Sequence, residues 1–207
     1  MRLRKVAYAE DMIDAHPEIV IPEPTKYKAA WKTMFDNNNP IYIEIGMGKG
    51  KFILESAKNN PGINYIGIEK APSVLIRAVQ KLKDCPLHNV RLLCVSAEIL
   101  KEIFVCGEVD RIYLNFPDPW PKSRHEKRRL TNKKHLDIFK DILSDKGEIH
   151  FKTDNEKLFQ YSIIEMSGQK LMFTDISFDC RDNIQTEYEE KFLSLGKRIY
   201  FLQAVKT

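Results

Sequence analysis

The segment Asn115-Phe116-Pro117-Asp118-Pro119-Trp120-Pro121 sets one carboxylate, Asp118, between prolines and two aromatic rings, and runs directly into Lys122-Ser123-Arg124-His125-Glu126-Lys127-Arg128-Arg129. The prolines fix φ and remove backbone donors, so Phe116 to Pro121 cannot continue as a central strand or a helix and must form an ordered loop. A carboxylate held in that way suits the stabilisation of a migrating positive charge, although Asp is also an ordinary turn residue. From Lys122 to Lys134 seven Lys and Arg stand against one acid, Glu126, a local charge of +6 in a chain whose total is only +4. The rest of the protein is therefore slightly acidic, which points to a localised contact with a polyanion rather than to general stickiness. A basic run alone is ordinarily a solvated face. The proline-locked apolar segment beside it is not something solvation calls for.

A second constellation lies upstream. Gly46-Met47-Gly48-Lys49-Gly50 follows the β-branched run Ile41 to Ile45, and Glu69 closes the next such run, Ile63 to Ile68. A glycine turn after one strand and an acid at the end of the next has the layout of an adenosine-binding crevice. Each part also has a plain structural explanation, a tight strand-to-helix turn and a solvated strand end. A dinucleotide is disfavoured, because Lys51 stands where the third glycine of G-x-G-x-x-G belongs and Glu44, two residues before the turn, would repel a pyrophosphate. The same carboxylate attracts a sulfonium, the cationic centre of S-adenosylmethionine. No G-x-x-x-x-G-K-[ST] sequence is present, which argues against a nucleoside triphosphate held in the Walker manner. On this scheme Glu69 holds ribose hydroxyls, Ser96, Ala97 and Glu98 edge the adenine, and Asp118 reaches the methionine end.

The elements that must position these groups alternate. Strands are expected at Ile41 to Ile45, Ile63 to Ile68, Val90 to Val95, Val109 to Leu114 and Gly147 to Lys152, with helices at Lys51 to Asn60, Pro72 to Lys83 and Asn155 to Met166. Val74, Leu75, Ala78, Val79 and Leu82 share one helical face, and Leu136, Phe139, Ile142 and Leu143 make another. Leu171 to Phe178 and Arg198 to Val205 read as two late strands with no full helix between them. This order implies an α/β fold, a mostly parallel sheet covered on both faces with an antiparallel edge strand. Ligands in such sheets sit at the carboxyl ends of the strands, where Glu44 to Gly50, Glu69, Ser96 to Glu98 and the Asp118 loop all fall. Residues 1–40, interrupted by Pro17, Pro22 and Pro24, form an N-terminal extension to a single domain spanning 1–207.

No apolar stretch is long enough to cross a bilayer, and no signal core follows Met1, so a cytoplasmic protein without a membrane partner is expected. Cys85, Cys94, Cys106 and Cys180 have neither a C-x-x-C pair nor metal-ligand spacing; buried thiols and no metal are expected. Of the histidines, His16, His88, His135 and His150 carry no motif, while His125 sits in the cationic arm.

Taken together, Glu44-Ile45-Gly46-Met47-Gly48, Gly67-Ile68-Glu69, Phe116 to Arg129, Lys152-Thr153-Asp154 and Thr186-Glu187-Tyr188-Glu189 resemble the bacterial tRNA (guanine-N7)-methyltransferases over nearly the whole chain. The resemblance implies a Rossmann-like class I S-adenosylmethionine-dependent methyltransferase fold, with tRNA as the partner and the guanine of its variable loop as acceptor. It implies that Glu44, Glu69, Ser96 and Asp118 contact the cofactor, with Asp118 also in the active site. It further implies that Lys122, Asp154, Thr186, Glu187, Tyr188 and Glu189 contact the substrate nucleotide, and that Arg124, His125, Lys127, Arg128 and Arg129 touch RNA. Many members carry Asp where this chain has Ser96, which leaves the adenine contact open between Ser96 and Glu98.

Guanine N7 has a lone pair and no proton, so its methylation needs alignment and charge stabilisation but no general base. Asp154, Glu187 and Glu189 are unranked candidates to accept from the Watson–Crick edge. Phe116 and Trp120 either stack on an unpaired base or pack the loop. Arg2, Arg4, Lys5, Lys26 and Lys28 offer either a second RNA contact or none, and the oligomeric state is left as monomer or homodimer. Two other functions stay open: a noncatalytic RNA-binding protein with an adenosine pocket, and a methyltransferase for another substrate.

Overall fold

The β-branched runs assemble into one seven-stranded sheet. The computed structural model describes residues 8–181 and 184–207, apart from the side chains of 187 and 191. The strands are β1 (Ile41–Ile45), β2 (Asn64–Ile68), β3 (Val90–Leu93), β4 (Val109–Asn115), β5 (Leu143–Thr153), β6 (Met172–Ser177) and β7 (Tyr200–Val205). Their order is β3-β2-β1-β4-β5-β7-β6. The first five run parallel. β7 is antiparallel to both of its neighbours, so the antiparallel strand lies one place in from the edge and β6 forms the edge itself. The chain steps outward from β1 to β3 and then crosses back to lay β4 against the free side of β1. That reversal makes the carboxyl ends of β1 and β4 the topological switch point.

Helices cover both faces. In chain order they are α1 (Ala9–Asp14), α2 (Trp31–Phe35), α3 (Lys51–Asn59), α4 (Pro72–Asp84), α5 (Leu100–Ile103), α6 (Lys133–Ile142), α7 (Glu156–Gly168) and α8 (Glu187–Ser194). Ile53 of α3 and Leu75, Val79 and Leu82 of α4 build one apolar cluster with β2 and β3. Phe139 of α6 and Leu158, Phe159 and Met166 of α7 build the larger one with β1, β4 and β5. Burial on both faces explains why β2 shows no alternation of apolar and charged residues: all five of its positions are buried. Among the described residues no helix is long and apolar enough to cross a membrane.

The described part of the extension is fastened to the sheet. Val20 bridges Leu92, and the Ile21 and Leu92 amides bond across to Leu92 and Ile19 carbonyls, covering the β3 edge. Trp31 is fully buried and donates from Nε1 to the Ile103 carbonyl at 3.1 Å. Lys26 pairs with Glu23 and Lys28 donates to the Lys101 carbonyl, so both are engaged within the protein. Arg2, Arg4 and Lys5 lie outside the described residues.

Three expectations are corrected. A full helix, α8, stands between β6 and β7, begun by a capping box in which Thr186 accepts from the Glu189 amide and Glu189 accepts from the Thr186 amide. Leu143, expected on a helix, opens β5 instead: α6 ends at Ile142, Leu143 is extended at φ −67, ψ 136, and it pairs with Val109. The thiols are also less hidden than expected, since Cys85 and Cys106 are exposed and Cys94 and Cys180 are half-buried.

Candidate active site

Gly46 and Gly48 adopt left-handed φ of +77 and +60, and a Cβ on either would meet nothing within 4 Å. The turn after β1 therefore leaves open space above its backbone, as a crevice for a ligand requires. Gly50 serves packing, since a Cβ there would lie 2.8 Å from Cβ of Ala78 in α4. Glu69, at the end of β2, fastens the turn to the start of α4: one carboxylate oxygen accepts from the Gly48 amide at 3.3 Å and the other from the Ala71 amide at 2.9 Å. Glu44 is 1% exposed near the end of β1, and its Oε1 accepts from Nδ2 of Asn115, at the end of the adjacent β4, at 2.9 Å. The two strands flanking the switch point are thus joined there through a buried acid.

A cavity of about 470 Å³ opens at this end of the sheet. Its wall includes Gly46, Glu69, Ser96, Ala97, Glu98, Phe116, Asp118, Trp120, Lys127 and Arg128, which the sequence brought forward separately. Ser96 caps the short 3-10 turn Ala97–Ile99, its Oγ accepting from the Glu98 amide at 3.4 Å. Glu98 is exposed and bonded to Lys134, whose ammonium holds its carboxyl below the usual range. Lys70, Leu130 and His135 also line the cavity and had no motif to announce them. The His135 ring lies 3.0 Å from the Arg129 carbonyl, and burial lowers its pKa.

The Asp118 loop is strained and anchored. Phe116 and Trp120 have φ of +50 and +39, a region that bulky L residues rarely enter. The Phe116 amide donates to the Lys152 carbonyl at 2.8 Å, and Arg129 donates from Nε to the Pro119 carbonyl and from Nη2 to the Trp120 carbonyl, each at 3.2 Å. Asp118 is left exposed between these anchors. The Phe116 ring lies 5.2 Å from Tyr188, and the Trp120 ring lies 5.6 Å from His125 with Arg128 above it at 4.9 Å. Both aromatics therefore have packing partners within the protein. The arm itself is the 3-10 turn Ser123–Arg128, which buries none of its residues. Lys122, Arg124, Lys127 and Arg128 are exposed and His125 is half-buried, whereas Arg129 turns back toward the loop.

The segment expected to read the base divides. Asp154 is half-buried and bonded to Lys197 at 3.1 Å. Glu189 is fully buried at 0% exposure and meets Lys152 of β5 at 3.3 Å, and burial lowers the Lys152 pKa against the raising effect of Glu189. Thr186 is occupied as the cap of α8. Tyr188 is 46% exposed, its phenol pKa raised by desolvation and then by the charges of Asp154 and Asp118. The Glu187 side chain lies outside the described residues. Among the described residues no cluster of three or more His, Cys, Asp or Glu is arranged to hold a metal ion.

Residues 38–202 match the protein-family model described as "Putative methyltransferase". A relative from Geobacillus sp. (strain WCH70), named tRNA (guanine-N(7)-)-methyltransferase, is 53% identical over 205 residues, covering 97% of this chain and 93% of its own. A relative of the same name from Bacillus velezensis is 52% identical over 205 residues, with 97% and 94% covered. This chain belongs to the tRNA (guanine-N(7)-)-methyltransferase family. The fold of these methyltransferases is shared more widely. A solved antibiotic-related methyltransferase superposes with a TM-score of 0.66 at 21% identity, and the 16S rRNA methyltransferase KamB with 0.67 at 13%, each covering 86% of this chain and 92% and 93% of its own. The sheet is accordingly that of the class I S-adenosylmethionine-dependent methyltransferases. Within the family frame, Lys70 and His135 are cavity-lining residues that only the fold brings to the site, while Asn115 and Lys152 lie in motifs already visible in the sequence and gain from the fold their buried partners Glu44 and Glu189.

Proposed function

We propose that this chain transfers the methyl group of S-adenosylmethionine to N7 of a guanine in tRNA. The observation that carries this is identity above 50% along nearly the whole chain to proteins of that name, joined to a cavity whose wall carries Glu69, Glu98 and Asp118 together with Lys127 and Arg128. The residues present fit the cofactor. A cavity of about 470 Å³ lies within the ~300–1,000 Å³ usual for small-molecule sites, and it is lined by Gly46, whose backbone is open on the side a Cβ would occupy. When bound, S-adenosylmethionine supplies an electrophilic methyl group on a cationic sulfur.

Glu69 presents its carboxylate to ribose hydroxyls: each oxygen already accepts one amide and retains a second acceptor site. Buried Glu44 supplies negative potential under the glycine turn, in a place where low dielectric strengthens it. Ser96 and Ala97 border the adenine as backbone and small side chains, since the Glu98 carboxylate is taken up by Lys134. Asp118 faces the path along which positive charge moves onto the purine, and no residue has to remove a proton. Of Asp154 and Glu189, Asp154 is the candidate for the guanine edge, because its partner Lys197 is exposed whereas Glu189 is withdrawn into a buried ion pair with Lys152. Lys122, Arg124, Lys127 and Arg128 receive phosphates.

Incubation of the protein with methyl-labelled S-adenosylmethionine and bulk tRNA, followed by nucleoside analysis, is expected to yield 7-methylguanosine. Binding of both molecules without transfer would establish the noncatalytic alternative, and label at another atom would reassign the acceptor.

A further inference from the structure

Arg129 sits at the end of a run of cations, and position alone would make it one more phosphate contact. Its geometry differs from that of every neighbour. The guanidinium is half-buried, donates to the Pro119 and Trp120 carbonyls at 3.2 Å, and lies 4.3 Å from the Tyr161 ring centroid. Tyr161 is itself fixed, accepting from Asn132 Nδ2 at 3.0 Å and donating to Glu126 Oε1 at 3.2 Å. The Arg129 carbonyl faces His135, which lines the cavity.

The loop it grips is short of donors. Prolines at 117, 119 and 121 contribute carbonyls but no N–H groups, so the segment cannot tie itself down by its own backbone. Trp120 nevertheless holds φ +39, a conformation that persists only when the surroundings over-determine it. A guanidinium spanning two consecutive carbonyls while stacked on a ring supplies that determination, and an ammonium cannot reproduce the fork.

We infer that Arg129 is a positioning residue, a clamp that holds the Pro119–Trp120 turn and thereby sets Asp118 and Trp120 against the cavity, and that it is not a phosphate contact of the RNA-binding arm. The inference rests on the proposed methyl transfer for its kinetic consequence and stands apart from it for its structural one.

Two tryptophans make the structural consequence measurable: Trp31 is fully buried, so acrylamide quenching of the protein reports Trp120. Arg129→Lys keeps the charge and removes the fork, and is the deciding variant even if Arg129→Ala proves too unstable to purify. In Arg129→Lys, quenching of Trp120 is expected to rise without any ligand present. The kcat on tRNA is expected to fall by roughly 10- to 100-fold, the scale of a small misplacement of catalytic groups, with an unchanged salt slope of tRNA binding. Tyr161→Ala, which removes the ring under the guanidinium, is expected to follow in the same direction. Wild-type quenching and kcat in Arg129→Lys would overturn the clamp, as would a salt slope reduced by about one in Arg129→Ala, the signature of a lost phosphate contact. A wild-type protein that transfers no methyl to tRNA would instead remove the proposed function and leave the quenching result to judge the clamp.

Discussion

Asp118 is the residue at which chemistry separates from binding. It is exposed on a loop whose backbone is fixed by neighbours, so changing its charge should leave the loop in place. Asp118→Asn is expected to lower kcat by roughly 10²- to 10³-fold, the usual effect of removing one electrostatic stabiliser, with tRNA affinity retained. Single-turnover kinetics at saturating cofactor and tRNA checks it, and an unaltered rate would reduce Asp118 to a turn former. Glu69→Ala acts earlier: it removes the acceptor of the Gly48 and Ala71 amides and the proposed ribose contact together. Calorimetry should show cofactor affinity lowered by about 10- to 100-fold, as for loss of charge-assisted hydrogen bonds. Glu44, Glu69 and Asp118 could be picked from the chain because their meaning depends on a strand end or a proline frame, both local. Lys70 and His135 could not, since each matters only through a cavity wall that the fold assembles, and for Asn115 the motif was visible but its bond to buried Glu44 was not. Arg129 shows a third case, in which a run of like residues hides opposite side-chain directions.

At the scale of elements, α8 is held at its start by the reciprocal Thr186–Glu189 cap and on its inner side by the buried Lys152–Glu189 pair. Thr186→Ala deletes one half of that cap, at a cost of about 1 kcal/mol. Urea denaturation should detect the loss, and hydrogen exchange should place it in residues 187–194; a variant with wild-type exchange there would show that the ion pair alone fixes the helix. The five parallel strands and helices α3, α4, α6 and α7 were legible because burial on both faces produces dense β-branched runs and because one-face spacing marks α4, α6 and α7, whereas the single turn of α5 is too short to show a period. α8 escaped because half of its eight residues are charged, and the Thr186-x-x-Glu189 signature of a helix start was taken up by the resemblance as a substrate contact. The β5 start was misplaced because Leu143 continues the apolar spacing of α6, and only its pairing with Val109 reassigns it.

For the molecule as a whole, two electrostatic tests probe independent properties. His150, in β5 beside Glu148, Arg111 and Lys152, has its pKa lowered to about 4, chiefly by burial and then by Arg111. The unfolded chain binds this proton near pH 6.5 and the folded one near pH 4, so between those values the unfolded state is favoured progressively as pH falls. About 3 kcal/mol of stability, present above pH 6.5, should be lost on descending to pH 4. The fall in unfolding free energy between pH 7 and 4.5 should be smaller in His150→Gln than in the wild type, and equal falls would contradict the assignment. The second test concerns the uneven charge. The chain carries only +4 in total, yet Lys122, Arg124, Lys127 and Arg128 are all exposed on one short segment, of which Lys127 and Arg128 line the cavity. If these four meet phosphates, each releases condensed counterions, and log K for tRNA should fall against log salt with a slope of about −3 to −4. Replacing Lys127 and Arg128 with Ala should reduce the slope by about 2 and lower cofactor affinity far less than tRNA affinity, because both residues line the cavity wall but neither belongs to the glycine turn or to Glu69. A slope near zero in the wild type would mean that the arm does not carry the RNA. Equal loss of cofactor and tRNA binding in the double variant would mean that the arm supports the cavity itself, and the separation of a cationic ledge from an acidic pocket would fail as an account of this surface.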